Sequence, residues 1–275
     1  MPNNFKINIF NLINESYNYE YSKEWVKDNL PIFLIIILFY ILLINFSKLF
    51  LKNKKIIFNN SINKILALWN LFLAVFSFIG FFRLTPIMFT SIERNGIIMT
   101  YTQITELQTN QISGFWIFIW VLSKIPELFD TLFLILKGRP IRFMHWFHHS
   151  MSILFGTINF IGDNAYLVWV VWMNFFIHSI MYRILRSLTR ITFGELELSF
   201  SYYMLTCFSF RFPKIIPQSL TTLQIIQFLI IIFQLIHIAF SKLFSEKVDC
   251  SISFGGFAIG LFTTFIYLKL WIDFY

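Results

Sequence analysis

Residues 123–149 read SKIPELFDTLFLILKGRPIRFMHWFHH, and they place Lys124, Glu127, Asp130, His145, His148 and His149 inside a very apolar chain. Ionisable groups at membrane depth are costly, so they turn toward a bundle interior and mark function. Lys124, Glu127 and Thr131 fall at i, i+3 and i+7, which is one helical face, with Asp130 beside it. After a short basic turn from Lys137 to Arg142, His145, His148 and His149 repeat the spacing at i, i+3 and i+4. Two adjacent helices thus present an acid–base stripe and an imidazole stripe to a common interior. Chemistry is expected there.

The rest of the composition fits a membrane. Of 275 residues, 57% are hydrophobic, 20% aromatic and only 13% charged, which excludes an ordinary soluble domain. Uncharged runs near 20 residues recur, the length that crosses about 30 Å of hydrocarbon. The formal net charge is +8, but the basic residues stand in short loops between apolar runs. They read as topology determinants and as contacts for anionic headgroups or an anionic substrate, with no nucleic acid as partner. Cys207 and Cys250 make no disulfide framework and lie away from the polar stripe.

In order, residues 1–30 are polar and Asn-rich and are expected to form an N-terminal tail ahead of a domain over 31–275. The run starting at Pro31 is too long for a signal-peptide core and is taken as a retained span. The apolar runs predict an all-α integral membrane protein with seven transmembrane helices, over 31–50, 63–83, 115–136, 142–161, 165–185, 219–240 and 252–273. Residues 84–114 are expected to form a polar connection. Residues 186–218, basic at both ends around LSFSYYMLTCFSF, suit an interfacial or re-entrant element.

The fifth run carries Asn174, His178 and Tyr182 at i, i+4 and i+8. A lone intramembrane histidine more often bonds a neighbouring helix. With three histidines one span away, His178 is grouped with the site instead. The sixth run carries Thr221, Gln224 and Gln227, whose side chains either join helix to helix or face the same interior.

KIPELFDT followed by HWFHH resembles the paired signatures of the ELO family, the membrane fatty acid elongases. Their pattern is Lys-x-x-Glu-Leu-x-Asp-Thr and then His-x-x-His-His, and every position is met. Asn174, His178, Met181 and Tyr182 match Asn-x-x-x-His-x-x-Met-Tyr, although Ile184 and Leu185 stand where the family often continues with tyrosines. Thr221, Gln224 and Gln227 resemble Thr-x-x-Gln-x-x-Gln-Phe, and the likeness runs from about Leu68 to the last span. HWFHH and LWNLFLAVFSFIG look most like the branch acting on saturated and monounsaturated long-chain acyl-CoA.

That resemblance implies six of the seven helices forming an inverted barrel around an acyl tunnel closed at the lumenal end. It implies condensation of a long-chain acyl-CoA with malonyl-CoA, both as substrates, with no bound cofactor. Soluble condensing enzymes commonly use Cys; here a covalent route falls to His. His148 and His178 are the implied nucleophile candidates, with His149 and Asn174 assisting the enolate. Lys124, Glu127, Asp130 and His145 complete the catalytic set, in which the first three orient imidazoles. Tyr182, Gln224, Thr221, Lys137, Arg142 and Lys214 are the expected substrate contacts, the cations facing the phosphates of coenzyme A. Side chains two to three turns beyond the histidines, Gly156, Ile158, Leu167 and Trp169, are expected to limit chain length. The implied partners are membrane lipid, the 3-oxoacyl-CoA reductase, dehydratase and enoyl reductase of the cycle, and a second copy in a homodimer.

Two other classes compete. Clustered membrane histidines also serve metal oxidoreductases of the desaturase or hydroxylase type, but that class needs roughly eight ligands for two irons and this chain has 5 histidines. A seven-helix transporter or receptor accounts for the spans but not for the facing stripes. The loops after spans one, three and five hold 13 Lys and Arg against seven on the other face. The positive-inside rule then expects a lumenal N-terminus, consistent with a sequon at Asn14-Glu15-Ser16, and a cytosolic C-terminus. Residence in the endoplasmic reticulum membrane is implied by the resemblance alone.

Overall fold

In hydrocarbon a backbone must satisfy its own polar groups, so long apolar runs become helices. The computed structural model describes residues 17–50, 60–179, 215–244 and 250–274, and every regular element among them is helical. In chain order these are α1 Tyr19–Asp28, α2 Leu30–Phe50, α3 Asn60–Thr102, α4 Glu106–Thr109, α5 Gln111–Ser123, a 3-10 turn Pro126–Leu128, α6 Phe129–Leu136, α7 Phe143–Ile161, α8 Leu167–Ser179, α9 Ile215–Phe244 and α10 Phe254–Phe274. Among the described residues, four stretches are long and apolar enough to cross a membrane: Leu30–Ser47, Lys64–Thr102, Gln218–Phe244 and Phe254–Asp273. The chain is an all-helical, multi-pass membrane protein.

The spans are one-sided. α2 buries Phe33, Tyr40 and Ile44 and leaves Ile35, Phe39 and Leu42 exposed, while α9 buries Ile231, Leu235 and Ile238 and exposes Phe233, Ile236 and Phe240. Exposed Leu and Phe are costless where the solvent is lipid, so the outward stripe needs no protein partner. α7 lies at the centre, packed against α1, α2, α5 and α10.

One end of the bundle is sewn shut around the turn between α7 and α8. Asp163 adopts a left-handed φ of 52° there. The Asn164 carboxamide accepts from Ser253 N at 2.6 Å and donates to Asn159 Oδ1 at 3.0 Å. Tyr166 donates its hydroxyl to Asn159 Oδ1 at 2.6 Å and to the Gly256 carbonyl at 3.1 Å. Ser251 N reaches the Thr102 carbonyl at 2.7 Å, and Gln108 Nε2 reaches the Ala165 carbonyl at 3.3 Å. Four separate segments therefore meet through buried polar groups whose partners are all supplied by protein.

Three expectations are corrected. The stretch expected as a tail contains α1, whose Tyr19, Ser22 and Val26 are buried. Tyr19 donates to Asp163 Oδ1 at 2.7 Å and Lys23 Nζ lies 3.0 Å from Asp163 Oδ2. Partial burial works against the Lys23 charge, but its bonds to Glu20 and Asp163 outweigh that and hold its pKa above the usual lysine range. The expected connection 84–114 is helical as far as Thr102, because Leu84, Met88 and Ser91 fall on one buried face despite Glu93 and Arg94. Its helix bends at Gly96, where φ is 77°. The third expected span is interrupted: α5 stops at Ser123 and α6 restarts at Phe129.

Gly260 tests the sewn end. A Cβ there would press on the Tyr166 hydroxyl, which two bonds hold in place. Gly260→Ala is expected to lose about 1–3 kcal/mol by overpacking, read as a drop of several degrees in the melting temperature of detergent-solubilised protein. Gly255→Ala, whose Cβ meets only Ile158 Cγ2 at 3.8 Å, serves as the control. Equal melting temperatures would remove the packing argument.

Candidate active site

The interruption of the third span follows from Pro126, which has no N–H to donate back along a helix. The chain tightens to i→i+3 bonds instead, Ile125 N to the Leu122 carbonyl at 3.2 Å and Leu128 N to the Ile125 carbonyl at 3.1 Å. This turn brings Lys124 Nζ to 2.6 Å from Glu127 Oε1, the pair expected from spacing. The ammonium also sits 4.4 Å from the centroid of the Trp120 ring, one helical turn earlier. Lys124 is only 5% exposed, and charge of that kind persists in a dry interior only when paired.

From α6, Asp130 Oδ1 accepts the Trp69 indole N–H at 2.7 Å, and its Oδ2 lies 4.0 Å from His149 Nε2. Thr131 Oγ1 stands between Tyr40 OH of α2 at 2.7 Å and His145 Nε2 at 2.9 Å. The imidazoles of His145 and His149 are one turn apart on α7, with ring centroids 4.5 Å apart. His148 turns toward α10, where the rings of Tyr267 and Trp271 approach it at 4.9 and 5.6 Å. Tyr267 OH donates to the His148 carbonyl at 3.1 Å. The His148 Nδ1 atom is buried without a hydrogen-bond partner. From α8, Asn174 Oδ1 accepts the Trp120 indole N–H at 2.9 Å. Trp271 donates its own indole N–H to Gln224 Oε1 of α9.

α3, α5, the 3-10 turn and α6 to α10 all contribute to the wall of a cavity of about 640 Å³. Its wall includes Lys124, Glu127, Asp130, His145, His148, His149, Asn174, His178 and Gln224, so the six residues of the two stripes meet Asn174 and His178 of α8 there. Lys137, Arg139 and Arg142 line one end, and the two arginines are exposed. Toward the sewn end the wall is Phe155, Val170, Ile231, Thr263 and Thr264. No cysteine among the described residues lines it; Cys250 is buried elsewhere, and His237 bonds Tyr101 at 3.1 Å outside the cavity.

Some expectations shift. Thr221 is buried but does not line the cavity, whose α9 wall starts one turn later at Gln224. Gly156 faces Trp120 and Val121 of α5, the side of α7 that packs rather than the side that lines, and Ile158, Leu167 and Trp169 also lie off the wall. Tyr182 and Lys214 fall outside the described residues. Reading the sequence missed Tyr40, Trp69, Trp120, Tyr267 and Trp271. For two pairs the signal was spacing, since Trp120 precedes Lys124 by one turn and Tyr267 precedes Trp271 by one turn.

Thr131 joins three helices through one hydroxyl, and Thr131→Val keeps its shape. The variant leaves Tyr40 OH and His145 Nε2 without that partner, at a cost of about 1–3 kcal/mol. A melting temperature equal to wild type would show the two bonds carry no stability.

Comparison with known proteins gives one result. The family model described as "ELO: GNS1/SUR4 family" matches residues 25–275. "Long chain fatty acid elongase 2" of Caenorhabditis elegans is 26% identical over 267 residues, covering 97% of this chain and 90% of that one. "Very long chain fatty acid elongase 3" of Homo sapiens is 32% identical over 224 residues, covering 79% and 73%. "Fatty acid elongase 1" of Trypanosoma cruzi is 39% identical over 128 residues, covering 45% and 44%. No solved structure matches.

Proposed function

This chain belongs to the GNS1/SUR4 (ELO) family and works in fatty acid elongation, and from that premise we propose that it catalyses the condensing step. An acyl-CoA and malonyl-CoA combine with loss of CO2 and coenzyme A, giving a 3-oxoacyl-CoA two carbons longer. One observation carries the reading: His148, His149 and His178 share a cavity that is basic at one end, apolar at the other and without a lining cysteine among the described residues.

The chemistry is acyl transfer by imidazole. His148 or His178 attacks the thioester carbonyl through a ring nitrogen, the tetrahedral oxyanion collapses, and the coenzyme A thiolate leaves. Malonyl-CoA then breaks its bond to the carboxylate, CO2 departs, and the electron pair passes into the enolate. Its carbon attacks the acyl carbonyl of the acyl-imidazolium, forming the new C–C bond as the C–N bond breaks and returning the neutral imidazole. No redox cofactor enters this balance. His148 lies against the rings of Tyr267 and Trp271, at 4.9 and 5.6 Å. His149 and Asn174 supply polar contacts for the enolate. Lys137, Arg139 and Arg142 suit phosphate groups, as forked or point donors on a charged ligand. The product would pass to a reductase, a dehydratase and an enoyl reductase. The lysine and arginine distribution favours a lumenal N-terminus, and family membership favours the endoplasmic reticulum membrane.

His148→Ala and His178→Ala are each expected to abolish 3-oxoacyl-CoA formation while the protein still accumulates in membranes. Loss of a covalent catalyst ordinarily costs orders of magnitude. Retention of more than about a tenth of wild-type turnover, measured with labelled malonyl-CoA, would reject that histidine as nucleophile.

Chain length offers a second test. From His148 to Phe155, α7 rises about 10 Å, and one turn of it matches roughly four extended chain bonds. The wall residues Phe155 and Val170 then stand about eight carbons beyond the thioester, on the path of a longer tail. Val170→Phe is expected to shorten the longest product without slowing the shortest acceptors, read by mass spectrometry of products from a panel of acyl-CoAs. Equal loss at every length would show that the tail does not reach Val170.

A further inference from the structure

Two carboxamides on the cavity wall are held by the same device. The Trp120 indole N–H donates to Asn174 Oδ1 at 2.9 Å, and the Trp271 indole N–H donates to Gln224 Oε1. An indole nitrogen only donates, so the atom it touches on each amide is the oxygen. The end left over is NH2. Asn174 and Gln224 both line the cavity, and no described residue accepts from either NH2. Trp120 and Trp271 line it as well, so each indole stands beside the amide it fixes rather than behind a second layer.

Each amide also belongs to one imidazole. Asn174 stands one turn before His178 on α8. Gln224 is tied through Trp271, whose ring lies 5.6 Å from the ring of His148. The Lys124 ammonium is already held by Glu127 at 2.6 Å. The cavity therefore offers two neutral donors, each near a histidine, and both aimed by a group that cannot accept.

We propose that Trp120 and Trp271 are positioning residues, whose indole N–H groups lock Asn174 and Gln224 as hydrogen-bond donors to the oxygen that gains negative charge. This rests on the condensing reaction proposed above. That reaction develops such an oxygen twice, when imidazole adds to the thioester carbonyl and when decarboxylation leaves the enolate. The donors move no proton. A fixed donor helps in both steps, whereas an amide free to turn over presents its own lone pairs to an oxyanion and hinders them.

The test is kinetic, on the full chain in detergent with an acyl-CoA and labelled malonyl-CoA. Trp120→Phe keeps an aromatic ring beneath Lys124 and removes the N–H. It is expected to lower kcat about 10- to 100-fold and leave KM for both substrates within about threefold, because ground-state contacts persist. Since Trp120 acts through Asn174, W120F/N174A should be no slower than N174A alone, the signature of residues working as a unit. The same relation is expected for W271F, Q224A and their double variant. If W120F does not fold, the α10 series decides, together with 3-benzothienylalanine at position 120, which keeps the two-ring shape and has sulfur in place of N–H. A kcat loss under threefold in every folded variant, or losses that multiply in the doubles, overturns the inference. A wild-type protein that forms no 3-oxoacyl-CoA overturns the condensing reading and this inference together, so the two failures are distinguishable.

Discussion

A lysine ammonium enclosed by hydrocarbon must find its counter-charge within reach of its own backbone, and that constraint shapes the centre of this protein. Lys124 meets it with Glu127 at 2.6 Å, three residues on, across a turn that Pro126 has tightened. Removing one member of such a pair leaves an uncompensated charge at a cost of about 3–5 kcal/mol. The break in the third span is therefore more than a defect in a helix. It brings a charged pair to face inward at the level of the histidines, and it lets α6 restart with Asp130 and Thr131 turned toward α7.

The same rule explains why so many polar contacts run between helices rather than along them. Asp130 is held by an indole of α3, Thr131 by a phenol of α2 and Asn174 by an indole of α5. In a membrane the apolar surfaces of helices gain little by touching each other, so polar pairs and close packing decide which helices meet. Each of these pairs ties a site residue to a different part of the bundle. Distortion of α2, α3 or α5 thus reaches the site through a single bond.

Much of the site was legible in sequence because membrane cost makes polar residues conspicuous. Lys124, Glu127 and Asp130, and likewise His145, His148 and His149, could be grouped by helical spacing, His178 by the histidines one span away, and the cavity wall contains all of them. Thr221 and Gly156 lie off the wall for one reason: spacing fixes a face relative to its own helix, whereas which neighbour that face meets is set by tertiary packing. Gly156 shares a helix with His148 but looks into α5. The tryptophans were overlooked for a different reason. Indoles are common in apolar runs, and their single polar atom declares itself only when a partner on another helix is seen. α1 escaped notice because its charges read as solvation, although Lys23 is spent on Asp163.

The seam at Asn159, Asn164, Tyr166 and Ser253 has a consequence for traffic. That end is filled by bonded side chains. On the condensing reading proposed above, an acyl chain entering from the basic end would run toward this seam, and each two carbons added would push its tail inward by roughly 2.5 Å. The molecule would then be its own measuring rod, with growth ending where tail and seam meet.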